Sequence, residues 1–284
     1  MRKHMTAAAL TAATALVLAA CGSAEPGDTG DGGDGGDGGG ETLTIGIKYD
    51  QPGLGLQKGA DYVGFDVDVA RYVADKLGYG EDQLEFVEAV SANRETMLQN
   101  GDVDMIFATY SITDDRKEVV EFAGPYFVAG QDLLVAANDD SITGPEDLEG
   151  KNLCSVTGST SAERIKEEYA EGVELVERPG YSECVSALAS GAVDAVTTDD
   201  IILAGLAAAQ EDPTTFKVVG NPFSEENYGV GLPQGSTDLC EEINTAITEM
   251  IEDGTWEELV ATHTDGTGYV ANEELNPPEP DACA

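Results

Sequence analysis

Short apolar strands alternate with helix-spaced segments along most of this chain, and the alternation runs through twice. In the first pass Leu43 to Lys48 reads as a strand, and Tyr49 to Lys58 as a glycine-rich loop. Gly64-Phe65-Asp66 then opens a helix whose Val69, Ala70, Val73 and Leu77 share one face, with Gly78 as its stop. Leu84 to Ala89 is a second strand. Ser91 to Gly101 is a loop and helix with Met97 and Leu98 facing the core, and Asp104 to Phe107 is a third strand. This β-α-β-α-β order predicts a parallel sheet with helices on its faces. Pro125 to Ala136 is one apolar run, longer than a common strand, and suits a segment that crosses to a second body. The pattern restarts beyond it. Strands are expected at 152–156, 173–176, 193–197 and 216–219, and helices at 161–170, 181–190 and 199–210. Asn227 to Leu232 is extended and apolar again, a return crossing. Amphipathic helices at 237–251 and 255–263 follow it.

The expected fold is therefore α/β with two lobes, each a doubly wound sheet. The second lobe (residues 130–226) is inserted in the first (42–129 and 227–284), and the two crossovers act as a hinge. A cleft between such lobes is a usual small-ligand site. One stretch, Ala108-Thr109-Tyr110-Ser111-Ile112-Thr113-Asp114-Asp115-Arg116, leaves a buried strand where open α/β sheets place ligands. Arg116 offers a planar fork of donors that fits a carboxylate, and Ser111 and Thr109 can add a hydroxyl and backbone groups. On this stretch alone, a polar loop with a solvated arginine is an equal reading.

Residues 1–20 have the parts of a secretory signal: Arg2 and Lys3, an apolar run from Ala7 to Ala20, then Cys21. Leu18-Ala19-Ala20-Cys21 resembles the lipobox of bacterial lipoproteins, which implies lipidation of Cys21, palmitate included, and anchoring to the outer face of the cell membrane. The plain alternative is a cleaved signal with an incidental cysteine. Residues 21–41 are mostly Gly-Asp repeats that cannot bury a core and read as a flexible tether. They lack the spacing and closing glutamate of an EF-hand, so no metal is expected there. Formal charge is −41, and removing Arg2 and Lys3 with the signal makes it −43. Such a surface disfavours nucleic acid as a partner and makes each cation informative.

Apart from Cys21 there are four cysteines, Cys154, Cys184, Cys240 and Cys283. An even number in an exported chain implies disulfides, and four cysteines allow three pairings. Cys154–Cys184 and Cys240–Cys283 are expected, the first within one lobe, the second pinning the tail to a helix of the other. A zinc site is not expected, since the spacings are wrong and the histidines are His4 and His263.

Gly64-Phe65-Asp66-Val67-Asp68-Val69-Ala70, Ser111-Ile112-Thr113 with Arg116, Gly158-Ser159-Thr160 and Asp194 to Asp199 together resemble the extracytoplasmic solute-binding proteins of polar amino-acid ABC transporters, from Thr42 to about Gly266. Tyr49 to Gly55 and Asn227 to Leu232 look most like glutamate-binding actinobacterial members. The resemblance implies a periplasmic-binding-protein-like clamp, a monomer without cofactors, that delivers an acidic amino acid to an ABC permease. Carried over by motif, Arg116 grips the α-carboxylate, with Ser111 and Thr160 adding donors. Asp199 and the Thr109 carbonyl hold the ammonium. Lys48, Ser91 and Arg94 neutralise a distal carboxylate, and Tyr181 lies near a pocket position. Asp199 also reads as a helix N-cap. The family's stacking aromatic has no evident counterpart; Tyr49 and Tyr62 are the candidates. Three alternatives stay open: a glutamine- or asparagine-binding protein, a cyclic-acid dehydratase on the same scaffold, and a ligand-dependent sensor subunit. The dehydratase reading lacks a nucleophile elbow, a histidine near the cleft motifs and metal ligands.

Overall fold

The computed structural model describes residues 42–169 and 172–283. The signal, Cys21 and the Gly-Asp tether lie outside the described residues.

The alternation read in the sequence becomes structure nearly segment by segment. β1 (Leu43–Ile47) buries Ile45 and Ile47 completely. β2 (Leu56–Lys58) and β3 (Asp61–Val63) pair as a small hairpin, and β2 falls inside the segment read as a loop. β2 and β3 are mostly exposed and carry no buried apolar face for the sequence to show. α1 (Phe65–Lys76) buries Val69, Ala70 and Val73 and stops where Gly78 adopts φ 91°. There Gly78 N–H bonds the Asp75 carbonyl and Tyr79 N–H the Ala74 carbonyl, the Schellman closure that a glycine permits. β4 (Leu84–Glu88), α2 (Arg94–Asn100), β5 (Met105–Phe107) and the single turn α3 (Asp114–Lys117) follow.

The long apolar run divides. β6 (Glu121–Ala129) and β7 (Gln131–Ala136) belong to different sheets, and Gly130 is the joint. A Cβ there would stand 2.7 Å from Pro222 Cβ, so only glycine lets the chain pass. Then come β8 (Asn152–Val156), α4 (Thr160–Glu168), β9 (Glu174–Arg178), α5 (Tyr181–Ala189), β10 (Ala195–Asp199), α6 (Asp200–Ala208) and β11 (Phe216–Val218). β12 (Glu226–Leu232), α7 (Thr237–Glu252) and α8 (Thr255–Thr264) complete the order.

The first sheet runs β4-β1-β5-β12-β6 and the second β11-β7-β10-β8-β9. β1 pairs in parallel with β4 and β5, as the first β-α-β-α-β pass predicts, but neither sheet is parallel throughout. β12 runs antiparallel to both β5 and β6, and β7 antiparallel to both β10 and β11. The reason is topological: β12 returns along the hinge that β6 left by, so the two must point in opposite directions. Two lobes, two sheets and a paired two-strand hinge result.

Both expected disulfides are present. Cys154–Cys184 joins β8 to α5, with Cα atoms 5.5 Å apart. Cys240–Cys283 ties α7 to the segment after α8, with Cα atoms 6.0 Å apart. That segment lies along β6: the Asn276 side chain accepts from Val128 N–H (2.9 Å) and donates to the Val128 carbonyl (2.8 Å), and Asp281 N–H bonds the Gly124 carbonyl (2.7 Å). Among the described residues no helix is long and apolar enough to cross a membrane.

Candidate binding site between the sheets

The ends of β5 and β10 and the N-termini of α2, α4, α5 and α6 converge where the two lobes meet. There Ser91, Arg94, Thr109, Ser111, Ser159, Thr160, Tyr181 and Asp199 line one narrow cavity of about 10 Å³. Seven of these stand out in the sequence as candidates; Ser159 does not. Lys48 and Arg116 are buried beside the cavity rather than on its wall. The lobes are closed over it. Gly158, at φ 76°, packs so tightly on the first lobe that a Cβ would lie 2.8 Å from Ala92 Cα. Asp50 accepts from the N–H and hydroxyl of Ser182 across the cleft, at 3.2 and 3.3 Å.

One side of the site is positive. Arg94 is 2 % exposed and Lys48 4 %, so neither is a solvated surface charge. Arg94 lies over the Tyr110 ring at 4.0 Å, with Arg116 over the same ring at 5.0 Å. Arg94 Nη1 donates to the Ala108 carbonyl (3.0 Å), while its Nε has no partner among the described residues. Lys48 Nζ donates to Ser91 Oγ at 2.7 Å. Burial, then the Arg94 charge, lowers the Lys48 ammonium from 10.5 to about 7. Burial, then Arg116, lowers Arg94 to about 10, still charged at neutral pH.

Arg116 is engaged on three sides: Nη1 donates to the Ser111 carbonyl (2.7 Å), Nη2 reaches across the cleft to the Gly158 carbonyl (3.1 Å), and Nε faces Glu95 (3.3 Å). Ser111 Oγ lies 3.4 Å from Thr160 Oγ1. The Thr160 hydroxyl donates to Glu226 at 2.9 Å, so that hydroxyl presents an acceptor toward the cavity.

The other side is negative. Asp199 is 3 % exposed; Oδ2 accepts from Tyr228 at 2.6 Å, and Oδ1 is buried without a partner among the described residues. Asp199 stands at the N-cap position of α6, but its side chain makes no capping bond. Asp200 takes that place instead, accepting from Ile201 N–H at 2.7 Å. Burial, then nearby Glu226, pushes the Asp199 carboxyl well above the usual range. Burial, then Asp199, raises the Tyr181 phenol to about 12. Thr109, a β-branched residue at φ 46°, is held there by its N–H to Asp66 Oδ2 (2.8 Å). Tyr49 and Tyr62 pack on one another (5.2 Å), Tyr62 also on Phe86 (5.5 Å), and neither lines the cavity.

Sequence reasoning passes over several residues that build the site. Tyr110 and Glu95 support the arginines, Asp66 fixes Thr109, and Glu226 and Tyr228 brace Thr160 and Asp199. Glu226 precedes the run read as the return crossing and Tyr228 lies inside it. A carboxylate and a phenol in so apolar a run are the available signal.

The geometry joins two buried charge clusters of opposite sign, each short of hydrogen-bond partners, around one cavity. Such an arrangement suits a small zwitterion with an extra anionic group. Among the described residues, no cluster of three or more His, Cys, Asp or Glu side chains could hold a metal. Residues 43–265 match the model of the bacterial extracellular solute-binding proteins, family 3. The glutamate-binding protein GluB of Corynebacterium efficiens is 45 % identical over 280 residues, covering 94 % of this chain and 93 % of that one. The ABC transporter glutamine-binding protein GlnH of Bacillus subtilis is 35 % identical, covering 91 % and 96 %. Among solved structures, an ancestral arginine-binding protein bound to glutamine is similar at a TM-score of 0.72 and 37 % identity, covering 78 % of this chain and 96 % of that one. The ancestral amino acid-binding protein AncCDT-1, a precursor of cyclohexadienyl dehydratase, matches at a TM-score of 0.71 and 29 % identity, covering 79 % and 95 %.

Proposed function

The chain belongs to family 3 of the bacterial extracellular solute-binding proteins, and on that premise we propose that it captures glutamate or aspartate outside the cell and delivers it to an ABC permease. One observation carries the choice of ligand: Arg94 Nε and Asp199 Oδ1 belong to residues lining the same cavity, and both are buried without partners among the described residues. Native proteins rarely leave such groups unsatisfied. An amino acid supplies an anion and a cation together, and a second carboxylate gives the Lys48 ammonium a counterion. In this reading Lys48, Ser91 and Arg94 take the distal carboxylate, Arg116 and Ser111 the α-carboxylate, and Asp199 and the Thr109 carbonyl the ammonium. Thr160 and Tyr181 close the wall. The lobes, 42–129 with 227–284 and 130–226, turn about β6 and β12. Lipid on Cys21 tethers the monomer to the outer face of the cell membrane, with the signal removed.

Calorimetry against glutamate, aspartate, glutamine and asparagine tests the proposal. Acids binding well ahead of amides support it. Tight glutamine binding with none for glutamate rejects the pocket assignment and favours the glutamine-binding alternative, which the similarity to GlnH keeps in view.

A further inference from the structure

Tyr228 bonds to both walls of the cavity from the hinge strand itself. Its backbone bridges to Ser111 on the first wall, and the adjoining bonds Ile112 N–H to the Asn227 carbonyl (2.8 Å) and Gly229 N–H to the Tyr110 carbonyl (2.9 Å) fasten β12 to that stretch. Its hydroxyl reaches Asp199, on the second wall, at 2.6 Å. The ring is fully buried, 5.8 Å from Phe127 and 6.3 Å from Tyr126, and has no freedom to aim elsewhere.

We infer that Tyr228 is a positioning residue for ammonium recognition: it occupies one oxygen of Asp199, leaves the other for the ligand, and thereby links the grip on the amino group to the loop that carries Ser111. This rests on the proposed function. Without the phenol, Asp199 Oδ2 loses its donor among neighbours that oppose its charge. Glu226 on β12 and Asp200 on α6 are acidic, Arg94 on α2 is the positive influence, and Tyr181 on α5 and Tyr269 beyond α8 are phenols influenced by Asp199. Burial already raises the Asp199 carboxyl, and the Tyr228 bond is the largest influence holding it down.

The test compares glutamate with glutarate, the same diacid lacking the amino group, by competition binding on wild type, Tyr228→Phe, Asp199→Asn and the double variant. The phenylalanine keeps the ring packing, and thermal unfolding checks the fold. Losing a hydrogen bond to a charged group predicts about a tenfold to hundredfold loss for glutamate in Tyr228→Phe, with glutarate unchanged. Where Asp199→Asn is already present, adding Tyr228→Phe should leave the glutamate-to-glutarate ratio where it was. Equal losses for both ligands, or no loss for either, overturn the inference alone. A wild type that binds no amino acid overturns the proposed function with it.

Discussion

Replacing Lys48 by methionine should make the ligand-free protein more stable, although it removes a hydrogen bond. The ammonium is buried, lowered from 10.5 to about 7 mainly by desolvation and then by Arg94. Between those two values the unfolded chain holds a proton that the folded protein has released, so folding becomes more favourable as pH rises through that window, and the penalty is complete below it. At pH 7 the cost is about 4 kcal/mol, at 1.36 kcal/mol for each unit of pH. The lost Lys48–Ser91 bond, which leaves a buried hydroxyl without its donor, returns about 1–3 kcal/mol. The net gain is about 2 kcal/mol, roughly 5 °C in Tm for a protein of this size. Denaturant titrations at pH 6, 8 and 10 on wild type and Lys48→Met isolate this group. Wild type should gain on the variant as pH rises from 7 to 10, while the variant leads at pH 6. A variant no more stable than wild type at pH 6, with the same pH dependence, would refute the assignment of Lys48 as a buried, destabilising ammonium. The same variant should bind glutamate at least tenfold more weakly, since a charge-assisted bond is worth about 1.5–3 kcal/mol.

Three further outcomes are expected. Arg116→Ala should abolish binding of every amino acid tested by calorimetry, and it also removes the bond to the Gly158 carbonyl across the cleft. Arg94→Ala should erase the preference for acids over amides while leaving some binding; an unchanged glutamate-to-glutamine ratio counts against its role. Exchanging Cys240 and Cys283 together for serine opens a closure spanning 43 residues, which costs about 4 kcal/mol on the chain-entropy model and is read by guanidinium unfolding.

Elements long enough to show a period were legible in the sequence, and α1 with its Gly78 stop is the clearest. The hairpin of β2 and β3 was not, because its residues are mostly exposed and form no apolar run like that of β5. Antiparallel β12 was not, because strand direction depends on where the chain comes from rather than on which residues it contains. In the site, Arg94 and Lys48 stood out as scarce cations in an acidic chain. Tyr228 and Glu226 did not, because an isolated phenol or acid in an apolar strand gains meaning only from a partner far away in sequence. Thr160 shows the same limit. Its position on the cavity wall was readable from the Gly-Ser-Thr turn, yet the direction of its hydroxyl was decided by Glu226, 66 residues on.

The position of β12 also governs how the chain can be assembled. It sits between β5 and β6 in the first sheet, yet follows the entire second sheet in the chain. A nascent or truncated polypeptide ending before Glu226 has nothing to lay between those two strands, and both expose open edges to which any extended peptide can add. Fragments of this protein should therefore be found with aggregates or proteases rather than as half-clamps, since one half has no finished sheet until the end of the polypeptide arrives.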